Sequence, residues 1–319
     1  MPLFLNESEV AQLLTMPLAI DAVEEAHRAL SLGNAVDVPR ERTRLQKTAL
    51  HILQGALPES DAIGYKAYTS NRSGNRFLVH VFSASSGALR VVIEANLLGM
   101  VRTGAASAVA TRYLARPDAE VLGVFGAGWQ AEGNIEAIAA VRALKKIKVF
   151  ARDAGKLPDF CAKMAKRLGL EVVSAASAEE TVRGSDIVST ITTAAAPLFD
   201  AKWLEPGTHI NAAGSNAIIR REIGEDVLKR CARIVVDSVD TALKEAGDLL
   251  PLLEKGRLDE RHLVELGDVL VGLRPGRSSS DEITIFESQG LAIQDLAVAV
   301  RLEALAREKN LGLNLPYGG

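Results

Sequence analysis

Residues 121–141 read VLGVFGAGWQAEGNIEAIAAV, and this stretch decides the fold. An apolar run over 121–125 ends at the turn Gly126-Ala127-Gly128, a helical pattern follows, and a second apolar run over 147–151 completes a strand–helix–strand unit of roughly 30 residues. Such a turn exposes backbone N–H groups at the positive end of a helix dipole, where a diphosphate binds. Gly126 is expected to take the tight turn, Gly128 to let phosphates approach the backbone, and Ala131 to be the third small residue of the motif. The stretch therefore predicts a dinucleotide-binding unit.

The composition argues against several classes of partner. The 319 residues carry 37 Lys and Arg against 40 Asp and Glu, a formal net charge of −3, so neither nucleic acid nor an anionic membrane is an expected partner. No apolar run approaches the roughly 20 residues of a membrane span. The two cysteines form no CxxC pair and the five histidines are scattered, so no metal site is predicted. We expect a cytoplasmic protein of about two domains.

Two patterns of apolar residues divide the chain. Over 50–95 four apolar segments follow one another without helical sequence between them, which indicates an antiparallel sheet. After residue 118 apolar runs alternate with helical segments, which indicates a parallel sheet with helices on both faces. Arg116-Pro117-Asp118 would end the helix predicted over 96–115, so a domain boundary is placed at Arg116. The long helix after Gly290 is expected to return to the first domain.

Candidate cofactor contacts lie at the glycine turn and at the ends of the following strands, because ligands of parallel sheets bind at the carboxyl ends of the strands. They are Gly126, Ala127, Gly128, Trp129, Gln130, Arg152, Thr190, Ile191 and Ser215. Ala151 stands where an acidic residue would bond the ribose hydroxyls of NAD(H), and Arg152 could hold a 2′-phosphate. These two residues favour NADP(H) over NAD(H), whereas Asp153 turned inward would favour NAD(H).

Two strand segments carry cationic side chains. Arg40, Arg42 and Arg44 alternate along the chain and would share one face of a strand. Three guanidinium groups on one face repel each other unless an anion lies between them, and a solvated strand face is the simpler alternative. Lys66 lies between aromatic residues in a mostly apolar strand, which indicates a partly enclosed site where burial and any nearby carboxylate would change its pKa.

The helix predicted over 96–115 carries Arg102 and Thr103 ahead of a run of small residues that starts at Gly104. A helix face this small requires another backbone or a flat ligand close to it. Arg102 and Thr103 therefore join the candidate cofactor contacts.

Several motifs together resemble the ornithine cyclodeaminase/mu-crystallin family, in order and spacing, over nearly the whole chain. They are GYKAYTS at 64–70, MVRTGAASAVATRYLARPDAEVLGVFGAGWQA at 100–131, HINAAGSNAIIRREI at 209–223, VELGDVLVG at 264–272 and DEITIFESQGLAIQDLAVA at 281–299. The RTGAASA block followed about 20 residues later by the glycine turn is a more specific signal than the turn alone.

The resemblance implies a fold, an assembly and a chemistry. It implies a Rossmann-type doubly wound α/β domain, residues 116–290, inserted into an α+β substrate-binding and dimerisation domain, residues 1–115 plus 291–319. It also implies a homodimer that acts on the α-carbon of a small amino or imino acid. By the same resemblance, Arg40 and Arg102 hold the substrate carboxylate and Lys66 lies beside the reacting carbon.

Two positions depart from the cyclodeaminases of that family. Asn216 stands where they carry an aspartate that serves proton transfer, and His51 stands where they carry a glutamate. Asparagine cannot exchange a proton in the useful range, whereas histidine can. A cyclising deamination needs such acids, but reduction of a preformed imine needs only a hydride donor, a carboxylate clamp and one proton delivered to nitrogen.

We therefore expect an NAD(P)H-dependent oxidoreductase that reduces a small imino acid, of the Δ1-pyrroline-2-carboxylate or ketimine type. Arg40, Arg102 and Asn216 are the expected substrate contacts, and Lys66 or His51 is the expected proton donor. An amino-acid dehydrogenase of the alanine dehydrogenase type and an ornithine cyclodeaminase are the alternatives within this class. A non-catalytic protein that retains NADP and binds another ligand is the alternative outside it.

Overall fold

A computed structural model describes residues 1–317 of the chain. They form two compact units. Unit 1 comprises residues 1–102 and the chain from Leu291 onward, and unit 2 comprises Thr103–Gly290. The division falls inside a long helix rather than at Arg116, and the domain boundary inferred from the sequence stays a prediction.

The described residues contain fifteen strands and eleven α-helices. The strands are β1 (Leu3–Leu5), β2 (Val36–Arg44), β3 (Thr48–Leu57), β4 (Ala62–Asn71), β5 (Gly74–Ser83), β6 (Leu89–Glu94), β7 (Val121–Phe125), β8 (Lys146–Phe150), β9 (Glu171–Ser174), β10 (Ile187–Thr190), β11 (His209–Ala212), β12 (Cys231–Val236), β13 (Leu263–Glu265), β14 (Ile283–Glu287) and β15 (Leu313–Asn314). The helices are α1 (Glu7–Leu13), α2 (Met16–Ser31), α3 (Asn96–Leu114), α4 (Trp129–Val141), α5 (Leu157–Leu168), α6 (Ala178–Val182), α7 (Glu225–Arg230), α8 (Val239–Glu245), α9 (Leu250–Glu254), α10 (Leu266–Leu270) and α11 (Ala292–Glu308).

Unit 1 is built on a seven-stranded sheet in the order β15-β1-β6-β5-β4-β3-β2. All its pairs are antiparallel except the parallel pair β1–β6. Helix α11 packs on one face, where two glycines let it approach: a Cβ on Gly64 would lie 3.0 Å from a Leu296 methyl, and one on Gly55 would lie 3.2 Å from an Ile293 methyl. The predicted return of the last helix to the first part of the chain is confirmed.

Unit 2 is built on an eight-stranded sheet in the order β13-β12-β14-β11-β10-β7-β8-β9, with every pair parallel. Apolar cores lie on both faces, one around Ile135 of α4 and Met164 of α5, the other around Val227 of α7 and Ala242 of α8. The strand order runs outward in both directions from β7 and β10, which is the doubly wound arrangement. The predicted fold class is confirmed.

The small face of α3 meets a backbone within unit 2. A Cβ on Gly104 would lie 2.3 Å from the carbonyl oxygen of Gly133 in α4, so only glycine fits at this crossing. The small residues were expected to contact either another backbone or a flat ligand, and at Gly104 the contact is with a neighbouring backbone. Contact between this face and a cofactor stays a prediction.

Candidate active site

Lys66 is a buried cation at the centre of unit 1. It lies in β4 and is 3% exposed. Its Nζ donates to Oδ1 of Asp295 in α11 at 2.8 Å and lies 5.3 Å from the centre of the Phe77 ring. A Cβ on Gly99 would lie 3.0 Å from Nζ, so α3 presents a glycine where the ammonium group needs room. The side chain is thus enclosed by β4, β5, α3 and α11.

Arg102 shares the same carboxylate. Its Nε donates to Oδ1 of Asp295 at 3.1 Å, and a terminal nitrogen donates to the side-chain oxygen of Gln294 at 3.0 Å. Gln294 is itself hydrogen-bonded to the buried His27 through its amide nitrogen at 3.0 Å. Arg102, Lys66 and Asp295 therefore form one buried ionic group, which we call the Lys66–Asp295–Arg102 cluster.

Lys66 has a pKa close to neutral because it is buried. Burial lowers the pKa of Lys66 to about 8, the Asp295 carboxylate opposes this, and the charges of Arg102 and Arg40 add to the lowering. At pH 7 the Lys66 side chain is mostly in the protonated, ammonium form. This ammonium group releases its proton more readily than that of an exposed lysine, because its pKa is lower. Lys66 therefore has the properties of a general acid at physiological pH.

The three alternating arginines are not equivalent. Arg40 is 6% exposed, Arg42 is half-buried and Arg44 is exposed. The register of β2 against β3 shifts between Val38 and Glu41, and such an irregularity changes the direction of the side chains on either side of it. The charge of Arg40 is among the main causes that lower the pKa of Lys66, and those of Arg42 and Arg44 are not. Of the three, Arg40 is the one whose charge acts on the Lys66–Asp295–Arg102 cluster.

His51 lies on the same sheet but has a different character. Its ring stacks on Tyr68 at 4.2 Å between centres, and its Nε2 is 2.9 Å from the Ser70 hydroxyl. Burial and the charges of nearby arginines, Arg42 foremost, lower the pKa of His51 to about 4. His51 is therefore neutral near pH 7 and has no extra proton to give. Between the two proton donors expected from the sequence, the electrostatics favour Lys66.

A separate cavity of about 570 Å³ lies within unit 2 at the carboxyl ends of its strands. It is lined by Phe125, Gly126, Ala127, Gly128, Phe150, Ala151, Arg152, Asp153, Lys156, Ile191, Thr192, Thr193, Ala194, Ala195, Ala196 and Leu198. The lining contains five of the predicted cofactor contacts: Gly126, Ala127, Gly128, Arg152 and Ile191. It also contains Lys156 and the stretch 193–196, which we did not predict.

Other predicted contacts lie elsewhere in unit 2. The Thr190 hydroxyl is buried and donates to Glu222 at 3.0 Å, and the buried Ser215 hydroxyl donates to the Arg220 carbonyl at 3.2 Å. Trp129, the first residue of α4, is exposed, Gln130 follows it in the helix, and Asn216 is half-buried in the loop after β11. In unit 1, Arg102 belongs to the cluster described above. The roles assigned to these residues, and to Thr103, stay predictions.

The two glycines of the turn have different surroundings. Gly126 has φ +119°, and a Cβ there would lie 2.7 Å from the Ile191 carbonyl oxygen. Gly128 is the N-cap of α4, and a Cβ there would meet no protein atom within 4 Å. Gly126 is thus required by the backbone conformation and by the close Ile191 carbonyl group, whereas Gly128 leaves open space in front of the helix N-terminus. Anions bind in such a space because the first N–H groups of a helix have no intrahelical partner.

Glu222 supports the cavity wall and was missed by the sequence analysis. It is buried and accepts hydrogen bonds from the Thr190 hydroxyl, the Thr192 N–H at 2.6 Å and the Gly214 N–H at 2.9 Å. Burial raises the pKa of Glu222 to about 7. It ties the segments after β10 and β11 together, and Thr192 is part of the cavity lining.

Asp295 and Gln294 were also missed. The sequence did contain a signal for them, because the pair interrupts the apolar helical pattern LAIQDLAVAV of α11. Polar side chains buried in such a helix require hydrogen-bond or ionic partners. Nothing local, however, identifies those partners. Asp295 is 229 residues from Lys66 and 193 from Arg102 along the chain.

Two further findings concern the described residues as a whole. Across residues 1–317 no group of three or more His, Cys, Asp or Glu side chains could hold a metal ion. In the same part of the chain, no helix has the length and apolar character needed to cross a membrane.

These features define a Rossmann-type α/β protein with a second, antiparallel-sheet unit that contains a buried Lys–Asp–Arg cluster. The family model for the ornithine cyclodeaminase/mu-crystallin family matches residues 1–310, and the chain belongs to that family. A Δ1-pyrroline-2-carboxylate reductase from Bacillus cereus is 33% identical over 89% of this chain and 85% of its own length.

Two solved structures have the same fold. The Δ1-pyrroline-2-carboxylate reductase of Thermococcus litoralis, in complex with NADH and L-proline, superposes with a TM-score of 0.94 at 32% identity and covers 98% of this chain and 100% of its own. An archaeal alanine dehydrogenase dimer with bound NAD superposes with a TM-score of 0.94 at 32% identity and covers 99% of each chain.

Proposed function

We propose that the protein is an NAD(P)H-dependent reductase of a small imino acid, of the Δ1-pyrroline-2-carboxylate or ketimine type. The observation that carries the proposal is the buried Lys66, which has a pKa of about 8 and lies beside Arg102. Reduction of a C=N bond adds a hydride to carbon and a proton to nitrogen, so a protonated amine next to a carboxylate-binding guanidinium suits this reaction.

The cavity of unit 2 fits a dinucleotide. Gly128 leaves open space at the N-terminus of α4, and the walls of the cavity offer apolar surface beside the cations Arg152 and Lys156. The bound cofactor would supply the hydride. Similarity supports this assignment, because the two solved structures described above contain NADH or NAD.

In unit 1, Arg40 and Arg102 would hold the substrate carboxylate, each by charge-assisted bonds that contribute about 1.5–3 kcal/mol. Lys66 would give its proton to the substrate nitrogen and be reprotonated from water. His51, neutral at pH 7 and next to Ser70, would shape the site rather than supply the proton. Asn216 stays a candidate contact for the distal part of the substrate.

A substrate screen tests the proposal. Purified protein is mixed with NADPH or NADH and with Δ1-pyrroline-2-carboxylate, other cyclic imino acids, or pyruvate plus ammonia, and cofactor oxidation is followed at 340 nm. Turnover of cyclic imines is the expected result. Turnover restricted to pyruvate plus ammonia would make the protein an alanine dehydrogenase, proline formed from ornithine would make it a cyclodeaminase, and no turnover with any substrate would favour a binding protein.

We further propose a preference for NADP(H). Ala151, directly after β8, carries no acidic group, and Arg152 and Lys156 line the same cavity. The variant Arg152→Glu should lower the ratio of kcat/KM for NADPH to that for NADH by at least about tenfold, since one charged hydrogen-bonding partner contributes about 1.5–3 kcal/mol. Lys166→Glu, an exposed charge reversal in α5 outside the cavity lining, serves as the control. A wild-type preference for NADH would contradict this part of the proposal.

We also propose a homodimer that forms through the sheet of unit 1. The face opposite α11 carries cross-strand apolar pairs, Ile63 with Phe82 and Ala67 with Leu78, and Ile63 and Leu78 are 48% and 37% exposed. Exposed apolar side chains grouped on one face of a sheet can mark an association site, and a solved relative forms a dimer. Light scattering should give twice the mass of one chain for the wild type and for Leu243→Glu, a control of similar exposure in unit 2. Leu78→Glu should give a mass close to that of one chain.

A cytoplasmic location is part of the same proposal. Cys161 and Cys231 are free thiols, as expected in a reducing compartment.

A further inference from the structure

Asp295 is a single carboxylate that serves two cations. Its Oδ1 accepts from Lys66 Nζ at 2.8 Å and from Arg102 Nε at 3.1 Å, and its side chain is 0% exposed. Its other oxygen, Oδ2, has no hydrogen-bond partner among the described residues. Both cations are thus held by one oxygen atom.

This arrangement is not explained by stability. Burying charged groups costs several kcal/mol per ion, and a buried ion pair is often no more stable than apolar residues of the same volume. A carboxylate oxygen without a donor adds to that cost. The cluster also leaves two positive charges facing one negative charge.

We propose that Asp295 is a positioning residue that keeps Lys66 protonated and fixes its ammonium group relative to Arg102. This inference rests on the proposed function. Without the Asp295 carboxylate, burial and the neighbouring arginines would favour the neutral amine, which has no proton to deliver. With it, the proton donor and the carboxylate-binding guanidinium share one anchor in α11, so a substrate held by Arg102 meets Lys66 at a fixed separation. Asp295 stays ionised throughout, and Lys66 alone loses and regains the proton.

The test measures the titration of Lys66 directly and does not depend on turnover. Protein labelled with 13C at the lysine Cε is titrated by NMR, and the Lys66 signal is assigned by its absence from Lys66→Met. In Asp295→Asn the pKa of Lys66 should fall by about 1 to 3, the effect expected for losing an opposite charge within hydrogen-bonding distance. The upper limb of the pH profile of kcat should move to lower pH by a similar amount.

Glu303→Gln is the matched control. Glu303 is a buried carboxylate of the same helix and pairs with Arg90 at 2.8 Å and Arg307 at 3.0 Å. Its replacement should leave the titration of Lys66 unchanged. If Asp295→Asn does not fold, the double variant Asp295→Asn/Arg102→Gln, which removes one charge of each sign, should still show a lowered pKa for Lys66.

A Lys66 signal that titrates as in the wild type, in either Asp295 variant, would overturn the inference whatever the enzyme turns over. A lowered pKa of Lys66 in a protein that reduces no imine would leave the electrostatic part standing and refute the proposed function instead. The two failures are therefore distinguishable.

Discussion

Lys66→Met should lower kcat for imine reduction by at least about 100-fold, the lower end of what a positioned general acid contributes, and leave the affinity for reduced cofactor unchanged. Methionine matches the length of the lysine stem and fits the enclosure formed by Phe77 and Gly99. It removes the only group of the cluster that can release a proton near pH 8. Asp295 keeps Arg102 as its ion-pair partner, so no isolated buried charge is created and the fold should be retained.

Steady-state rates at several pH values and cofactor binding by fluorescence measure the two parts of this prediction. Lys146→Met is the control: it removes a lysine of β8 that pairs with Glu171 at the surface, and its kcat should be unchanged. Lys66→Arg separates charge from proton delivery, because arginine keeps the charge and does not release a proton in the accessible pH range. Wild-type rates in either Lys66 variant would remove Lys66 from the mechanism.

The parts of this protein that could be predicted are those set by neighbours in the chain. The turn at Gly126 and Gly128 follows from a strand, two glycines and a helix within about 30 residues. The capping box of Asn6 and Glu9 and the N-cap at Thr15 are also set by residues within one helical turn. The enclosure suggested for Lys66 by its aromatic and apolar neighbours is confirmed by its burial.

The parts that could not be predicted depend on register and on distant residues. Strand alternation put three arginines on one face, but the irregularity after Val38 separates the buried Arg40 from the exposed Arg44. A histidine alone suggests a pKa near its usual range. At His51, burial and the charges of Arg42, Arg40 and Arg44 lower the pKa, and the sequence shows neither the burial nor how close these charges lie. The carboxylate that sets the state of Lys66 comes from the other end of the chain. The sequence therefore predicted the features that depend on neighbouring residues. It did not predict how the buried charges pair, because their partners lie far apart along the chain.

The two glycines of the turn should respond differently to alanine, and the difference tests the diphosphate site. Gly128→Ala should raise the dissociation constant of the reduced cofactor by about 10- to 100-fold, because a methyl group at the helix N-terminus would displace phosphates from hydrogen bonds worth about 1.5–3 kcal/mol. Stability should change by less than about 0.5 kcal/mol, since φ at Gly128 is −102° and no protein atom lies within 4 Å of the added Cβ.

Gly126→Ala should instead lower the free energy of unfolding by about 1–3 kcal/mol, as expected for forced overpacking. The added Cβ would lie 2.7 Å from the Ile191 carbonyl oxygen, at a φ of +119° that alanine rarely adopts. Gly155→Ala, near the cavity but outside its lining and in ordinary contact with Asp153, should change neither quantity. Denaturant unfolding without cofactor and titration with NADPH and NADH measure the two effects separately. Unchanged cofactor affinity in Gly128→Ala would mean that the diphosphate does not bind at this turn, and the assignment of the cavity in unit 2 would fail with it.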